Sequence, residues 1–112
     1  MKKNDKSKEI TTPSREQLIA VLVTNKLRGV YFGYARGLGV SAMGRKKLYY
    51  AKHCFSYAKG EHGGTYDLAV SGPADGSRCS PSLDVMTIGD VANVVLCTPE
   101  AAARWEAAGW GK

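Results

Sequence analysis

Cysteine is too scarce and too irregularly spaced in this sequence to build a disulfide framework or a zinc site. The three cysteines, Cys54, Cys79 and Cys97, are an odd number, and no CxxC pair occurs. We therefore expect reduced, buried thiols in a cytosolic protein. Long apolar runs are also absent, because the longest, residues 18–23, is far too short to cross a membrane. No apolar run follows the N-terminal lysines, which predicts that there is no signal peptide and no membrane partner.

The sequence also lacks the groups of side chains that catalysis or metal binding requires. His53 and His62 lie nine residues apart, with no cysteine or acid at metal-ligand spacing. The aspartates are dispersed and form no carboxylate pair for acid–base chemistry. Residues 39–46 resemble a GxxxxGK[ST] phosphate-binding loop, but Arg45 replaces the lysine and Lys46 stands where the magnesium-binding hydroxyl belongs. We therefore expect a protein that is not an enzyme and that carries no metal or cofactor.

Acidic side chains are missing from residues 26–52, and this absence concentrates the positive charge of the chain. The net charge of the 112 residues is +6. Residues 26–52 contain seven basic side chains and no acid, so their charge of +7 exceeds that of the whole chain. Charge of one sign favours an anionic partner such as nucleic acid, a nucleotide or an acidic protein. The seven residues are Lys26, Arg28, Arg36, Arg45, Lys46, Lys47 and Lys52.

Short apolar segments separated by glycine-rich turns predict a mainly β fold. The 13 glycines favour turns and bulges over long helices. The last predicted strand, residues 91–97, is apolar enough to be central. The segments predict an antiparallel meander of five or six short strands, and a small barrel of the SH3 or Sm type is one form of such a meander. The predicted strands are residues 18–24, 29–35, 47–57, 65–71 and 91–97, with a pairing segment at 86–88 and a loop at 74–83.

The beginning of the chain is polar and rich in lysine, with no apolar periodicity. This composition predicts a flexible basic tail over residues 1–13, followed by a single small β domain over residues 14–112. A short helical turn capped by Thr12 or Ser14 can lead into the first strand.

The C-terminal region carries the clearest helix signal. Thr98 is a good N-cap, and Pro99 fits the first helical position, where a backbone N–H would have no partner within the helix. Gly109 follows an alanine-rich segment and can end the helix. The pattern predicts a helix over residues 99–107, anchored to the sheet by Trp105.

The order of short motifs resembles that of a family of small phage- and prophage-encoded proteins of unassigned function. The matching segments cover most of the chain after residue 18. The more distinctive ones are RGVYFG at residues 28–33, SGP at 71–73 and SRCSP at 77–81, and CTPEAAARWE at 97–106 also matches. The resemblance implies a phage context and a location in the cytoplasm of the host cell, and it implies no particular activity.

A first candidate site combines arginines, aromatic rings and serines from two distant segments. The forked guanidinium group of arginine matches the oxygens of a phosphate group, aromatic rings stack on bases, and hydroxyl groups add hydrogen bonds. Together with the resemblance to phage proteins, which implies the phage context, this set suggests a phage accessory protein that sequesters or blocks an anionic partner, such as a nucleotide signal of host defence or a host defence protein. The simpler alternative is that each arginine bonds the carbonyl groups of its own loop. The candidates are Arg28, Tyr31, Phe32, Ser77, Arg78 and Ser80.

A second candidate site is the basic hairpin over residues 26–52, which suits a nucleic-acid-binding module. Lysine and arginine release counterions when they bind phosphates, and an exposed tyrosine can stack on a base. The alternative is that Tyr49 or Tyr50 alternates into the core and that the lysines only increase solubility. The candidates are Arg36, Arg45, Lys46, Lys47, Tyr49 and Lys52.

A third hypothesis is a structural or interaction protein that assembles into a ring. Small β domains hide exposed strand edges by pairing between subunits, so a homo-oligomer is expected. The three hypotheses predict different behaviour, namely a retained nucleotide, nucleic-acid binding that weakens with salt, or a stable oligomer.

Overall fold

A computed structural model describes residues 12–56 and 66–109. Most of the predicted tail lies outside the described residues, as do residue 57 of the third predicted strand and residue 65 of the fourth. A 3-10 helix (Arg15–Gln17) comes first, and two α-helices follow, α1 (Asp67–Val70) between the third and fourth strands and α2 (Pro99–Ala107) after the last. The strands are β1 (Ile19–Asn25), β2 (Val30–Ala35), β3 (Lys46–Ser56), β4 (Arg78–Cys79), β5 (Leu83–Ile88) and β6 (Val91–Leu96).

Strand β3 organises the sheet because it is 11 residues long and pairs along both of its sides. One side pairs with β2, and the other pairs first with β5 and then with β4. Every pairing is antiparallel, and the order is β4-β3-β2-β1-β6, with β5 beside β3. The predicted mainly β, antiparallel architecture is confirmed, and the sheet is open rather than closed into a barrel.

Two clusters of buried side chains lie on the two faces of the sheet. Alternation along β1 sends Leu22 to one cluster and Val21 and Val23 to the other. The first cluster also contains Trp105 of α2, which is fully buried and stacks on Phe32 with ring centroids 5.3 Å apart. Because β1 is buried on both faces, its sequence is apolar without a break from residue 18 to residue 23.

Helix α2 forms as the sequence predicts. The Thr98 hydroxyl oxygen accepts a hydrogen bond from the Ala101 N–H (3.0 Å), and Pro99 lies in the first turn. The same hydroxyl donates to the Val70 carbonyl (2.6 Å), which ties the start of α2 to the end of α1. The prediction of a helix over residues 99–107 anchored by Trp105 is confirmed.

The prediction of a strand over residues 65–71 is wrong, because residues 67–70 form α1. A strand would place Leu68 and Val70 on one buried face, whereas the neighbours Leu68 and Ala69 are buried and Val70 is exposed. Packing on α2 favours the helical turn, since the indole N–H of Trp105 donates to the Leu68 carbonyl (2.9 Å). Tertiary contacts therefore override the local alternation of apolar residues.

Strand β6 is an edge strand, which corrects the prediction that it is central. It pairs with β1 alone within the described residues. Its apolar character has another cause, because Val94 and Val95 pack against different core clusters. The predicted pairing segment at 86–88 extends to the whole of β5, and the predicted loop at 74–83 contains β4.

The predicted helical lead-in is the 3-10 helix, which is held against the sheet and α2. The Arg15 guanidinium lies 4.0 Å from the Tyr50 ring centroid and forms a 3.2 Å salt bridge with Glu106. The Tyr34 hydroxyl also donates to the Glu106 carboxylate. Burial, together with this hydrogen bond, raises the pKa of Tyr34 above its ordinary value. These contacts fix the start of the domain to its C-terminal helix.

All three cysteines are buried and none forms a disulfide bond, as expected for structural thiols. Cys54 of β3 and Cys79 of β4 stand opposite each other in the strand pairing. Burial raises the pKa of Cys97 to about 12, so its thiol stays protonated and unreactive at neutral pH.

Candidate anion-binding site

Phe32, which was predicted to stack on a ligand, lies in the core. Its side chain is 1% exposed. Its ring stacks on Trp105 and meets the Tyr34 ring edge-on, with centroids 5.4 Å apart. The ring is covered by α2 and does not present the exposed stacking surface that the sequence suggested.

Tyr31 and Ser80, two further candidates of the first set, meet at His53. The Tyr31 ring stacks on the imidazole with centroids 4.5 Å apart, and the Ser80 hydroxyl oxygen accepts a hydrogen bond from the His53 backbone N–H (2.9 Å). Burial lowers the pKa of His53 below 6.5, so the imidazole is neutral near pH 7. Both side chains therefore have partners within the sheet.

The remaining residues of the first set are distributed over separate elements. Arg28 lies in the turn between β1 and β2, whereas Arg78 belongs to β4, on the opposite side of β3 from β2. Ser77 is buried beside a cavity of about 130 Å³ that Arg104 and Ala108 also line. Because Phe32 lies in the core, the six residues do not assemble into one pocket.

Most of the second set, in contrast, surrounds a single open pocket of about 340 Å³. The pocket lies between the end of β2, the following loop and the first residues of β3. Four of its lining residues are basic, and none is acidic. The lining residues are Arg36, Gly39, Ser41, Arg45, Lys46, Lys47 and Tyr49.

A braced β-turn shapes the loop at one side of this pocket. The Gly44 N–H donates to the Ser41 carbonyl (2.9 Å), and Gly44 has a φ of +75°, which glycine adopts without strain. The Ser41 hydroxyl oxygen also accepts a hydrogen bond from the Arg45 backbone N–H (3.1 Å), and the Ser41 N–H donates to the Arg45 carbonyl (3.0 Å). The turn therefore fixes the backbone of Arg45 while its side chain remains exposed.

Lys46 brings positive charge to the buried side of the pocket. Its side chain is 8% exposed, and its ammonium group donates to the carbonyls of Gly37 (2.6 Å) and Gly39. Desolvation lowers the pKa of Lys46 from its ordinary value. An anion in the pocket would offset this cost by returning a counter-charge to the ammonium group.

Tyr49 forms a wall of the pocket and does not offer a free face to a base. Its side chain is 7% exposed, and the Arg36 guanidinium lies 5.9 Å from its ring centroid. Tyr50 is also engaged, because its hydroxyl donates to the Pro13 carbonyl (2.6 Å). The alternative in which the tyrosines turn inward is therefore correct for Tyr49, which positions Arg36 through a cation–π contact.

Lys52 is the one residue of the second set that does not line the pocket. It is 6% exposed and lies under the C-terminal end of α2. Its ammonium group donates to the carbonyls of Trp105 (2.9 Å), Glu106 (3.0 Å) and Ala108 (2.8 Å). Lys52 therefore binds carbonyls at a helix end, where the helix dipole favours a cation, and the Trp105 carbonyl also accepts a hydrogen bond from the Ala108 N–H.

The composition of the pocket is suited to holding an anion. Its basic side chains and the Ser41 hydroxyl can contact phosphate oxygens. In residues 12–56 and 66–109, no cluster of histidine, cysteine or acidic residues could hold a metal ion. Ser41 and Gly39 were not among the predicted site residues, although the near-match to a phosphate-binding loop at residues 39–46 was the signal that could have identified them.

Comparison with known proteins places the chain in a family. Residues 18–105 match the family described as "Domain of unknown function (DUF6948)", and because this match covers most of the chain, the protein belongs to that family. No curated protein and no solved structure matches the chain. Within the described ranges, neither helix is long and apolar enough to cross a membrane.

Proposed function

We propose that this member of the DUF6948 family is a non-enzymatic binding protein whose anionic partner is nucleic acid, held through its phosphate groups. The observation that supports this proposal is the convergence of four basic side chains on one pocket without an acidic lining residue. The proposal moves the site from the first candidate set to the second, because Phe32 lies in the core and cannot stack on a base.

Electrostatics supports a phosphate-bearing partner. Arg36, Arg45 and Lys47 are exposed and can each neutralise a phosphate group. Each neutralised phosphate releases condensed counterions, so affinity should fall steeply with salt. Because the aromatic side chain of the pocket is buried, contacts should be made mainly to the backbone of the nucleic acid, which predicts little sequence preference.

A second candidate function is sequestration of a single nucleotide, such as a signal of host defence, by a phage protein in the host cytoplasm. The size of the pocket favours this alternative. Its volume of about 340 Å³ lies at the lower end of small-molecule sites, which span ~300–1,000 Å³. One or two phosphate groups would fit between the arginines, whereas a longer polymer would extend beyond the pocket.

Assembly into a homo-oligomer stays a prediction that one feature favours. Charged residues or proline on an edge strand normally prevent it from pairing with another chain. Strand β6 has neither over Val91–Leu96, so the edge that it leaves unpaired within the described residues is open to such pairing. Light scattering should then give a mass above that of the 12.0 kDa monomer. A mass equal to the monomer at all concentrations would contradict this third candidate.

Binding to labelled oligonucleotides at increasing salt tests the proposal and separates its alternatives. We expect fluorescence anisotropy to show binding at low salt, with a slope of log affinity against log salt of about −2 to −4. Lys47→Gln should reduce the slope by about 1, as expected for one lost phosphate contact. Binding of mononucleotides with equal or higher affinity would favour sequestration. The absence of binding to both kinds of ligand would contradict the assignment of this pocket.

A further inference from the structure

The two most exposed large apolar side chains of the described residues occupy equivalent positions in two β-turns. Leu27 is 79% exposed and Met43 is 73% exposed. Each is the third residue of its turn, which spans residues 25–28 in one case and residues 41–44 in the other. Neither belongs to a core cluster or packs against one. We call these two side chains the apolar pair.

The turn that carries Leu27 is held by its own hydrogen bonds. The Arg28 N–H donates to the Asn25 carbonyl (3.0 Å), and the Asn25 side-chain oxygen accepts a hydrogen bond from the Gly29 N–H (2.7 Å). Arg28 adopts a φ of +67°, which is uncommon for a residue with a side chain and reverses the chain sharply. Together with the braced turn at residues 41–44, this places both side chains on rigid backbone.

The connection between β5 and β6 holds the two turns together. The Lys26 N–H donates to the Asp90 carbonyl (2.8 Å), and the adjacent Val91 N–H donates to the Gly44 carbonyl (3.0 Å). Leu27 follows Lys26 and Met43 precedes Gly44, so the apolar pair flanks this connection. The side chain of Asp90 is exposed at this connection.

Basic side chains border the apolar pair. Lys26 and Arg28 flank Leu27 in one turn, and Arg45 follows the other turn and also lines the basic pocket. Long basic side chains can reach the phosphates on either side of a groove, while a shorter apolar side chain at the apex of a turn meets the bases between them. The arrangement thus combines basic side chains that can contact the two phosphate backbones bordering a groove with two apolar side chains that can insert between bases.

We propose that the protein binds duplex DNA in its minor groove and kinks it by inserting Leu27 and Met43 at base steps. This inference rests on the proposed function, because the basic pocket supplies the phosphate contacts. Apolar wedges on basic surfaces unstack base steps and bend the duplex by about 20–90°. The rigid turns lose little conformational freedom on insertion, which reduces the cost of binding. Charge continuous with the basic pocket favours DNA over a neutral apolar partner.

The test measures binding and bending on the same complex. Full-length protein is added to a short DNA duplex with donor and acceptor dyes at its ends, and anisotropy and energy transfer are recorded together. Energy transfer should rise when the wild type binds. In the double variant Leu27→Ala/Met43→Ala the rise should be lost, while affinity changes by less than about tenfold. The matched control is Val70→Ala/Leu96→Ala, which removes side chains that are 54% and 55% exposed elsewhere, and it should bend DNA like the wild type.

The outcomes separate this inference from the proposed function. Binding without bending by the wild type, or equal bending by the double variant, would overturn the wedge role and leave the anion pocket intact. Preferential binding to single strands would also overturn it. If no oligonucleotide binds, both proposals fail. Binding to anionic phospholipid vesicles that depends on Leu27 and Met43, without bending of DNA, would assign the apolar pair to a membrane surface instead.

Discussion

Two lysines of the same strand show how differently the two ends of this domain are built. Lys46 and Lys52 both lie in β3, and they are 8% and 6% exposed. Lys52 is enclosed by three carbonyls at the end of α2, so its charge is satisfied within the protein. Lys46 bonds two loop carbonyls and shares an open pocket with three other basic residues.

The difference teaches that a basic residue indicates a binding site only where its surroundings leave charge unbalanced. At the end covered by helices, Arg15 pairs with Glu106, and Lys52 caps α2. At the end formed by the loops, positive charge accumulates and apolar side chains remain exposed. The first end stabilises the fold, and we assign partner binding to the second.

The largest effect should come from breaking the helix-covered end at its centre. Trp105→Ala removes a fully buried ring that stacks on Phe32 and bonds the Leu68 carbonyl. We expect the free energy of unfolding to fall by about 3–5 kcal/mol, as measured by urea denaturation. Ala103→Ser, on the exposed side of the same helix, is the control and should cost less than about 1 kcal/mol. Equal losses would show that Trp105 does not anchor the helix.

Single lysine substitutions compare the helix-covered end with the pocket directly, because each variant removes the same charge from one of the two regions. Lys52→Met removes the ammonium group that donates to three carbonyls at the end of α2, of which the Trp105 carbonyl keeps its bond from the Ala108 N–H, and should lower the free energy of unfolding by about 2–3 kcal/mol. Lys47→Met, at an exposed position of the pocket, should change it by less than about 0.5 kcal/mol. Affinity for nucleic acid should show the opposite order when both folded variants are titrated at equal salt. A loss of affinity in Lys52→Met alone would reverse the assignment of the two ends.

The smallest effect concerns pH and His53. Burial lowers the pKa of His53 below 6.5, so the folded protein binds fewer protons at this site than the unfolded chain. This contribution to stability is complete above pH 6.5 and is lost as the pH falls through the window below that value. His53→Gln should therefore lose less stability than the wild type between about pH 8 and about pH 5. His62 is present in both proteins and cancels in the comparison of urea midpoints.

Local signals explain what the sequence could predict about the fold. The N-cap Thr98 and the following Pro99 act within one helical turn, and they predicted α2 correctly. The apolar run of β1 likewise reports burial on both faces of the sheet. Helix α1 could not be predicted in this way, because its shape depends on packing against Trp105, which lies far along the chain.

The same distinction applies to the candidate site. The sequence predicted three basic residues of the pocket from their charge, namely Arg36, Arg45 and Lys47. They lie close together in sequence, in a hairpin loop and at the start of the following strand, so they are also close in space. Lys52 looked equivalent to them in sequence, but its carbonyl partners lie 53 to 56 positions away. The pairing of the turns that carry Leu27 and Met43 was also hidden, because it runs through the connection between β5 and β6.

The most direct test of the central claim compares a charge reversal in the pocket with one on helix α2. Arg45→Glu changes the pocket and Arg104→Glu changes α2, and each lowers the net charge from +6 to +4. We predict that Arg45→Glu weakens oligonucleotide binding by about tenfold or more. Arg104→Glu should weaken it by less than about threefold at moderate salt, because distant charges are screened. Equal losses in the two variants would show that net charge alone drives binding and would contradict a specific anion site at the loop end.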